Sequence, residues 1–206
     1  MLRIVSSQAE HAPECKGESV DSTRRATRSD ALANVDALLA AATARFAAEG
    51  DRASLRGIAT DAGVGIGTLY RHFPTREHLV ESVYRASVEQ LCARASELVT
   101  AGSATEALRR WSEDFLDFLD AKRGIADTLR AVPGVQDDTG RTRRALADAA
   151  GVILAAGEAD GTVDPGIEPM DFVLALGGIA LVAPGAEQVQ QSRRLLDLLL
   201  HGVLAK

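Results

Sequence analysis

Apolar residues recur every three or four positions along most of this chain, the spacing of helices that bury one face. Leu32, Val35, Leu39, Ala42 and Phe46 form the first such stripe, opened by a capping box over 27–30 and stopped by Gly50. Leu55, Ile58, Ala59 and Ala62 form a short second stripe behind Ser54, whose hydroxyl suits an N-cap. Gly63 ends that helix, because glycine takes the left-handed conformation without a Cβ penalty. Val64 fills the turn, and a third helix starts at Gly65 or Ile66 with Ile66, Leu69 and Phe73 inward. Pro74 forbids its continuation. Thr75 then caps a much longer helix, with Leu79, Val83, Tyr84, Val88, Leu91, Cys92, Ala95, Leu98 and Val99 on its stripe. No Pro or Gly falls between 75 and 101, so this helix should move as one rigid body.

The back half continues in the same period. A capping box over 103–106 precedes Leu108, Trp111, Phe115, Phe118 and Leu119, and Gly124 ends that helix. A short helix over 125–132 and a loop over 133–140 lead to one opening with Arg141, Arg143 and Arg144 and running to about Ala159. Past a second loop over 161–166, Pro169 opens a helix that is apolar nearly all round, with Gly177 and Gly178 in its middle. Pro184 and Gly185 separate it from a last helix bearing Val189, Leu195, Leu196, Leu198, Leu199, Leu200, Val203 and Leu204. The predicted fold class is all-α.

The stretch over 54–79, SLRGIATDAGVGIGTLYRHFPTREHL, carries the most specific pattern. Two short helices joined by a tight glycine turn make a helix-turn-helix, whose second helix can lie in a DNA major groove. Its outward residues, Thr68, Tyr70, Arg71 and His72, offer hydroxyl, guanidinium and imidazole donors and no carboxylate. Such groups bind phosphates and base edges. Gly65 and Gly67 keep the helix start slim enough for close backbone approach. The plainer alternative is a connector between two core helices.

At GTLYRHF, followed by a basic residue and Leu79, with IATDAG before it, the chain resembles the tetracycline-repressor (TetR) family of bacterial transcriptional regulators. The resemblance covers roughly 29–85. It implies an N-terminal three-helix helix-turn-helix domain that binds double-stranded operator DNA, and a C-terminal helical domain for dimerisation and effector binding. The corresponding boundaries are a flexible extension over 1–28, the DNA-binding domain over 29–80 and the back domain over 81–206. On that pattern the DNA-binding set is Ser54, Arg56, Gly65, Ile66, Gly67, Thr68, Tyr70, Arg71, His72 and Arg76. Gly65 stands where the family often has serine, so a cap or phosphate contact is missing; Arg76 stands where lysine is commoner, which preserves a phosphate contact. The implied function is a sequence-specific regulator, a repressor released from a palindromic operator by a small molecule. A regulator answering to a protein partner or to no ligand, or a small helical enzyme, are the alternatives.

Composition sharpens this picture in a few places. The net charge is −6, which excludes a bulk polybasic nucleic-acid binder. Residues 1–80 are neutral overall and 81–206 hold the whole excess of acid, so only the front half can dock on DNA. Arg24, Arg25 and Arg28 are either an arm on the phosphate backbone or minor groove, or a solvated tail. Cys15 and Cys92, far apart and without a signal segment, suggest reduced thiols in a cytoplasm, with a redox-sensing pair as the rival. No apolar run approaches a membrane span, and no membrane partner is expected.

Trp111, Phe115 and Phe118 share a helix face, either as core or as the wall of an effector pocket to which Met170 and Leu174 are added from the helix at Pro169. The two last helices, the eighth and ninth, are too apolar for one subunit to cover. A homodimer through them is expected, with a buried intrachain hairpin as the rival. No GxSxG, CxxC, HExxH or Walker loop is present, so no catalytic residue or cofactor is assigned. His72 and His78 lack a metal partner at ligand spacing, and no metal site is assigned.

Overall fold

The computed structural model describes residues 19–132, 139–184 and 188–205, with side chains from Leu32 onward. Nine α-helices are found among them: α1 (Ser19–Glu49), α2 (Leu55–Asp61), α3 (Ile66–His72), α4 (Arg76–Ala101), α5 (Ala104–Gly124), α6 (Ala126–Arg130), α7 (Thr139–Asp160), α8 (Pro169–Val182) and α9 (Val189–Val203). A 3-10 turn at Gly50–Arg52 joins α1 to α2. The one β pairing among the described residues is a single antiparallel bridge between Val163 and Leu204, which ties the loop after α7 to the end of α9.

The start of α1 differs from expectation. The helix begins at Ser19, so 19–28 is helical where a flexible extension was expected, while 1–18 and the side chains of Arg24, Arg25 and Arg28 lie outside the described residues. The buried face of α1 follows the expected stripe except at its start. Leu38, Ala42 and Phe46 are its buried residues, whereas Leu32 is 61% exposed. Val35 and Leu39 are partly buried against the front core, so the stripe holds from Val35 to Phe46 and fails only at Leu32.

Two apolar cores share one long helix. The front core gathers Leu38, Phe46, Ile58, Leu69 and Phe73 around Leu79, Val83 and Tyr84 of α4. It also takes in Ile125 and Leu129 from the α5–α6 turn, well past residue 80. The back core packs Leu91, Ala95 and Leu98 of α4 against α5, α7, α8 and α9. Thr75 caps α4 by accepting from the His78 N–H, and Ser103 caps α5 by accepting from the Glu106 N–H.

The two units also meet backbone to backbone. Gly50 has φ +59°, and a Cβ placed on it would stand 2.6 Å from the Gly124 carbonyl oxygen. Gly124 in turn lies against the Phe46 carbonyl. Only a residue without a side chain fits at Gly50, on both counts. The Thr128 hydroxyl donates to the Asp51 carboxylate beside this contact.

Candidate nucleic-acid interface and effector cleft

The helix-turn-helix forms as its residues dictate. Ser54 Oγ accepts from the Gly57 N–H at 3.0 Å, starting α2. Gly63 takes φ +69°, and the Val64 N–H donates to the Ala59 carbonyl, which closes the turn. Gly65 caps α3 with extended backbone and no side-chain bond, so the N–H groups at this helix start are unserved by any serine. Leu69 and Phe73 hold α3 down on the core, and Ile66 is half-buried.

What remains outside is a donor face. Tyr70 is 49% exposed, Arg71 is exposed, and Thr68 and His72 are half-exposed beside them. Ser54 and Arg56 are exposed at the head of α2. Gly65 and Gly67 have open space where a Cβ would point. Arg56 and Arg71 have no acid partner among the described residues. Arg52 is likewise exposed and unpaired. Sequence reading passes over it because a lone arginine after a helix stop carries no periodic signal. Arg45 behaves differently: it donates to Asp61 at 2.5 Å and to Glu49 at 2.9 Å. The hydrogen bond from Arg45 holds the Asp61 carboxyl below its ordinary range.

Arg76, expected on the DNA side, is bonded within the protein. Its Nη1 donates to the Ala53 carbonyl at 2.6 Å and its Nη2 to the Asp51 carbonyl at 2.8 Å. Its guanidinium carbon lies 5.2 Å from the centre of the Phe46 ring. A cation with both terminal nitrogens on backbone oxygens and its face on an aromatic ring braces the 3-10 turn.

The expected effector set divides in two. Trp111 is fully buried, with its indole N–H donating to the Leu91 carbonyl at 2.9 Å, and Met170 packs against the back core. Phe115, Phe118 and Leu174 do come together, lining a cleft of about 190 Å³ between α4, α5, α7 and α8. Tyr84, Leu119, Lys122, Thr142, Arg143 and Gly177 complete much of that wall. A larger opening of about 390 Å³ lies between α1, α4 and α5, lined by Gln90, Arg94, Asp114 and Asp117 among others. Burial, followed by the neighbouring Asp114 and Asp120 charges, pushes the Asp117 carboxyl up.

The remaining chemistry is sparse. Burial, then Asp148 and Glu89, pushes the Cys92 thiol above its ordinary value, which disfavours a reactive thiolate. Cys15 lies outside the described residues. Among the described residues no group of three His, Cys, Asp or Glu could hold a metal ion, and no helix is long and apolar enough to cross a membrane.

Comparison with known proteins covers both units. Residues 38–83 match the family model for bacterial regulatory proteins of the tetR family, and 103–205 match that for the SbtR-like transcriptional regulator C-terminal domain. The solved TetR transcriptional regulator of Streptomyces coelicolor is 41% identical, over 84% of this chain and 99% of that one, with a TM-score of 0.77. A TetR regulatory protein from Mycobacterium vanbaalenii is 29% identical, over 87% of this chain and 99% of that one, with a TM-score of 0.62. Among curated proteins, the HTH-type transcriptional repressor KstR2 of Rhodococcus jostii is 35% identical over 85 residues, 39% of this chain and 42% of the relative. The chain thus spans less than half the length of the curated relatives it matches.

Proposed function

Because this chain belongs to the TetR family of bacterial transcriptional regulators, we propose that it is a repressor that grips a two-fold symmetric operator as a homodimer and lets go when a small molecule fills the cleft between α4, α5, α7 and α8. The observation that carries the DNA half is the donor-only face of α3, with Arg52, Arg56 and Arg71 free of acid partners among the described residues. Charged donors left unpaired on a slim helix suit a phosphate backbone and the base edges beneath it. Tyr70, Thr68 and His72 serve the backbone, and Gly67, Arg71 and Ile66 lie nearest the bases.

Footprinting and gel shift test this directly. The protected site should be two-fold symmetric, with half-site centres about one helical turn, or a multiple, apart. Arg71→Ala should cost about 1–3 kcal/mol at the best site and relax preference at one base position, whereas Tyr70→Ala should weaken all sites alike. A footprint without two-fold symmetry would count against the dimer.

For the dimer, the support is an apolar face left open on the two last helices. Leu174, Leu181 and Val182 of α8 are exposed, as are Val189 and Leu198 of α9, with Leu181 at 79% and Leu198 at 69%. Leu196, Leu200 and Val203 fill the chain's own core instead. A second copy laid on the exposed set makes an isologous contact, self-complementary about a two-fold axis. Leu181→Glu with Leu198→Glu should therefore give a folded monomer in sedimentation, because an unpaired charge inside such a contact costs several kcal/mol. A folded variant that stays dimeric would move the interface elsewhere.

Coupling runs through α4. It carries Tyr84 at the cleft and Leu79 in the front core that holds α3, with no break between them. A ligand that favours one tilt of this helix shifts the spacing of the two α3 helices in the dimer, and a coupling of about 1–3 kcal/mol is enough to release DNA.

A further inference from the structure

The cleft that Phe115, Phe118 and Leu174 share is cationic within an acidic half of the chain. The chain as a whole carries a net charge of −6. Yet the cleft lining holds Lys122 and Arg143 and no carboxylate. Lys122 is half-buried and Arg143 exposed, and neither has a carboxylate partner among the described residues.

Lys122 is held in place rather than left to solvent. It sits half-buried near the end of α5, with Nζ 5.0 Å from the centre of the Tyr84 ring and donating to the Tyr84 hydroxyl at 3.4 Å. The Tyr84 ring is itself stacked on Phe118, 5.9 Å between centres. An ammonium fixed on an aromatic wall, with one neutral oxygen for company, retains donor capacity for an anion. The other walls, formed by Phe115, Leu119, Leu146 and Val173, offer only hydrocarbon.

We infer that the effector of this cleft is a small amphipathic anion, an apolar chain or ring ending in a carboxylate that Lys122 and Arg143 receive. This rests on the proposal above that the cleft is the effector site. The volume sets the size. About 190 Å³ is smaller than a drug-sized pocket of about 300–1,000 Å³, which favours a medium-length chain or single aromatic ring. The position of Lys122 also sets the consequence of binding. An anion there draws on the same ammonium that lies over Tyr84 of α4, so charge recognition and helix movement meet at one residue.

Octanoate, octanol and octylamine separate the parts of this inference, since they share a chain and differ in charge at neutral pH. Calorimetric titration of the full-length protein should give octanoate an affinity about tenfold tighter than octanol, with octylamine the weakest. Lys122→Met, which keeps most of the aliphatic stem, should erase the octanoate advantage and leave octanol unchanged; Arg143→Gln should reduce it. Gly177→Leu, whose new side chain enters open space at the cleft wall, should abolish binding of all three. Equal affinity for octanoate and octanol, with both lost in Gly177→Leu, would overturn the anion assignment and leave the cleft as the effector site. An octanoate preference that survives Lys122→Met and Gly177→Leu, in variants with unchanged circular dichroism, would overturn both. So would the failure of all three to bind the unmodified protein at millimolar concentration.

Discussion

Trp111→Ala should lower the unfolding free energy by about 3–5 kcal/mol in urea titration, the largest loss expected from any single truncation here. The side chain is fully buried among Leu91, Phe115 and their neighbours in the back core, and its indole N–H donates to the Leu91 carbonyl. Truncation removes a large apolar surface and leaves a hole that α4, α5 and α7 can only partly close. Trp111→Phe keeps much of the volume and loses the hydrogen bond, so it should cost about 1–2 kcal/mol. If Trp111→Ala stayed within about 1 kcal/mol of the parent, the residue would be lining a space rather than filling one.

Arg76→Ala separates two accounts of one residue. If its guanidinium served DNA, the substitution would reduce the salt slope of binding by about one unit and leave stability nearly unchanged. The geometry gives the opposite expectation. Two carbonyls, of Asp51 and Ala53, would lose their donor and Phe46 its cation, costing about 2–4 kcal/mol of stability with the salt slope intact. Arg76→Lys should recover little, because a single ammonium cannot serve two separated oxygens as a planar fork does. Thermal denaturation alongside gel shifts at several salt concentrations reads both quantities from one preparation.

Arg76 also shows where sequence reasoning stops. The helix caps at Ser54, Thr75 and Ser103 and the turn at Gly63 were legible, because each depends on residues within four positions of one another. The partners of Arg76 lie 23 and 25 residues away, and nothing in its spacing distinguishes a carbonyl from a phosphate. The aromatic stripe of α5 is a similar case. Its existence follows from period alone, but the rotation that buries Trp111 and turns Phe118 to the cleft is set by α4, α7 and α8 together. On α9 the leucines could be counted but not sorted, and packing assigns Leu196 inward and Leu198 outward. The early start of α1 had no apolar signal at all, since a helix can run past its last packing partner on propensity.

The dependence of the front core on Ile125 and Leu129, and the fit of Gly50 onto Gly124, bear on how the protein comes apart. A fragment cut at residue 80 would keep the helix-turn-helix but lose Val83, Tyr84, Ile125 and Leu129 from around it, and with them much of the apolar area that holds α1 against α4. Neither unit is therefore a lodger that can be evicted separately. Because α4 belongs to both cores without interruption, heat should remove them in one transition rather than two, with a calorimetric enthalpy that matches the whole chain. The continuity of α4 is what denies the DNA-binding unit an independent life.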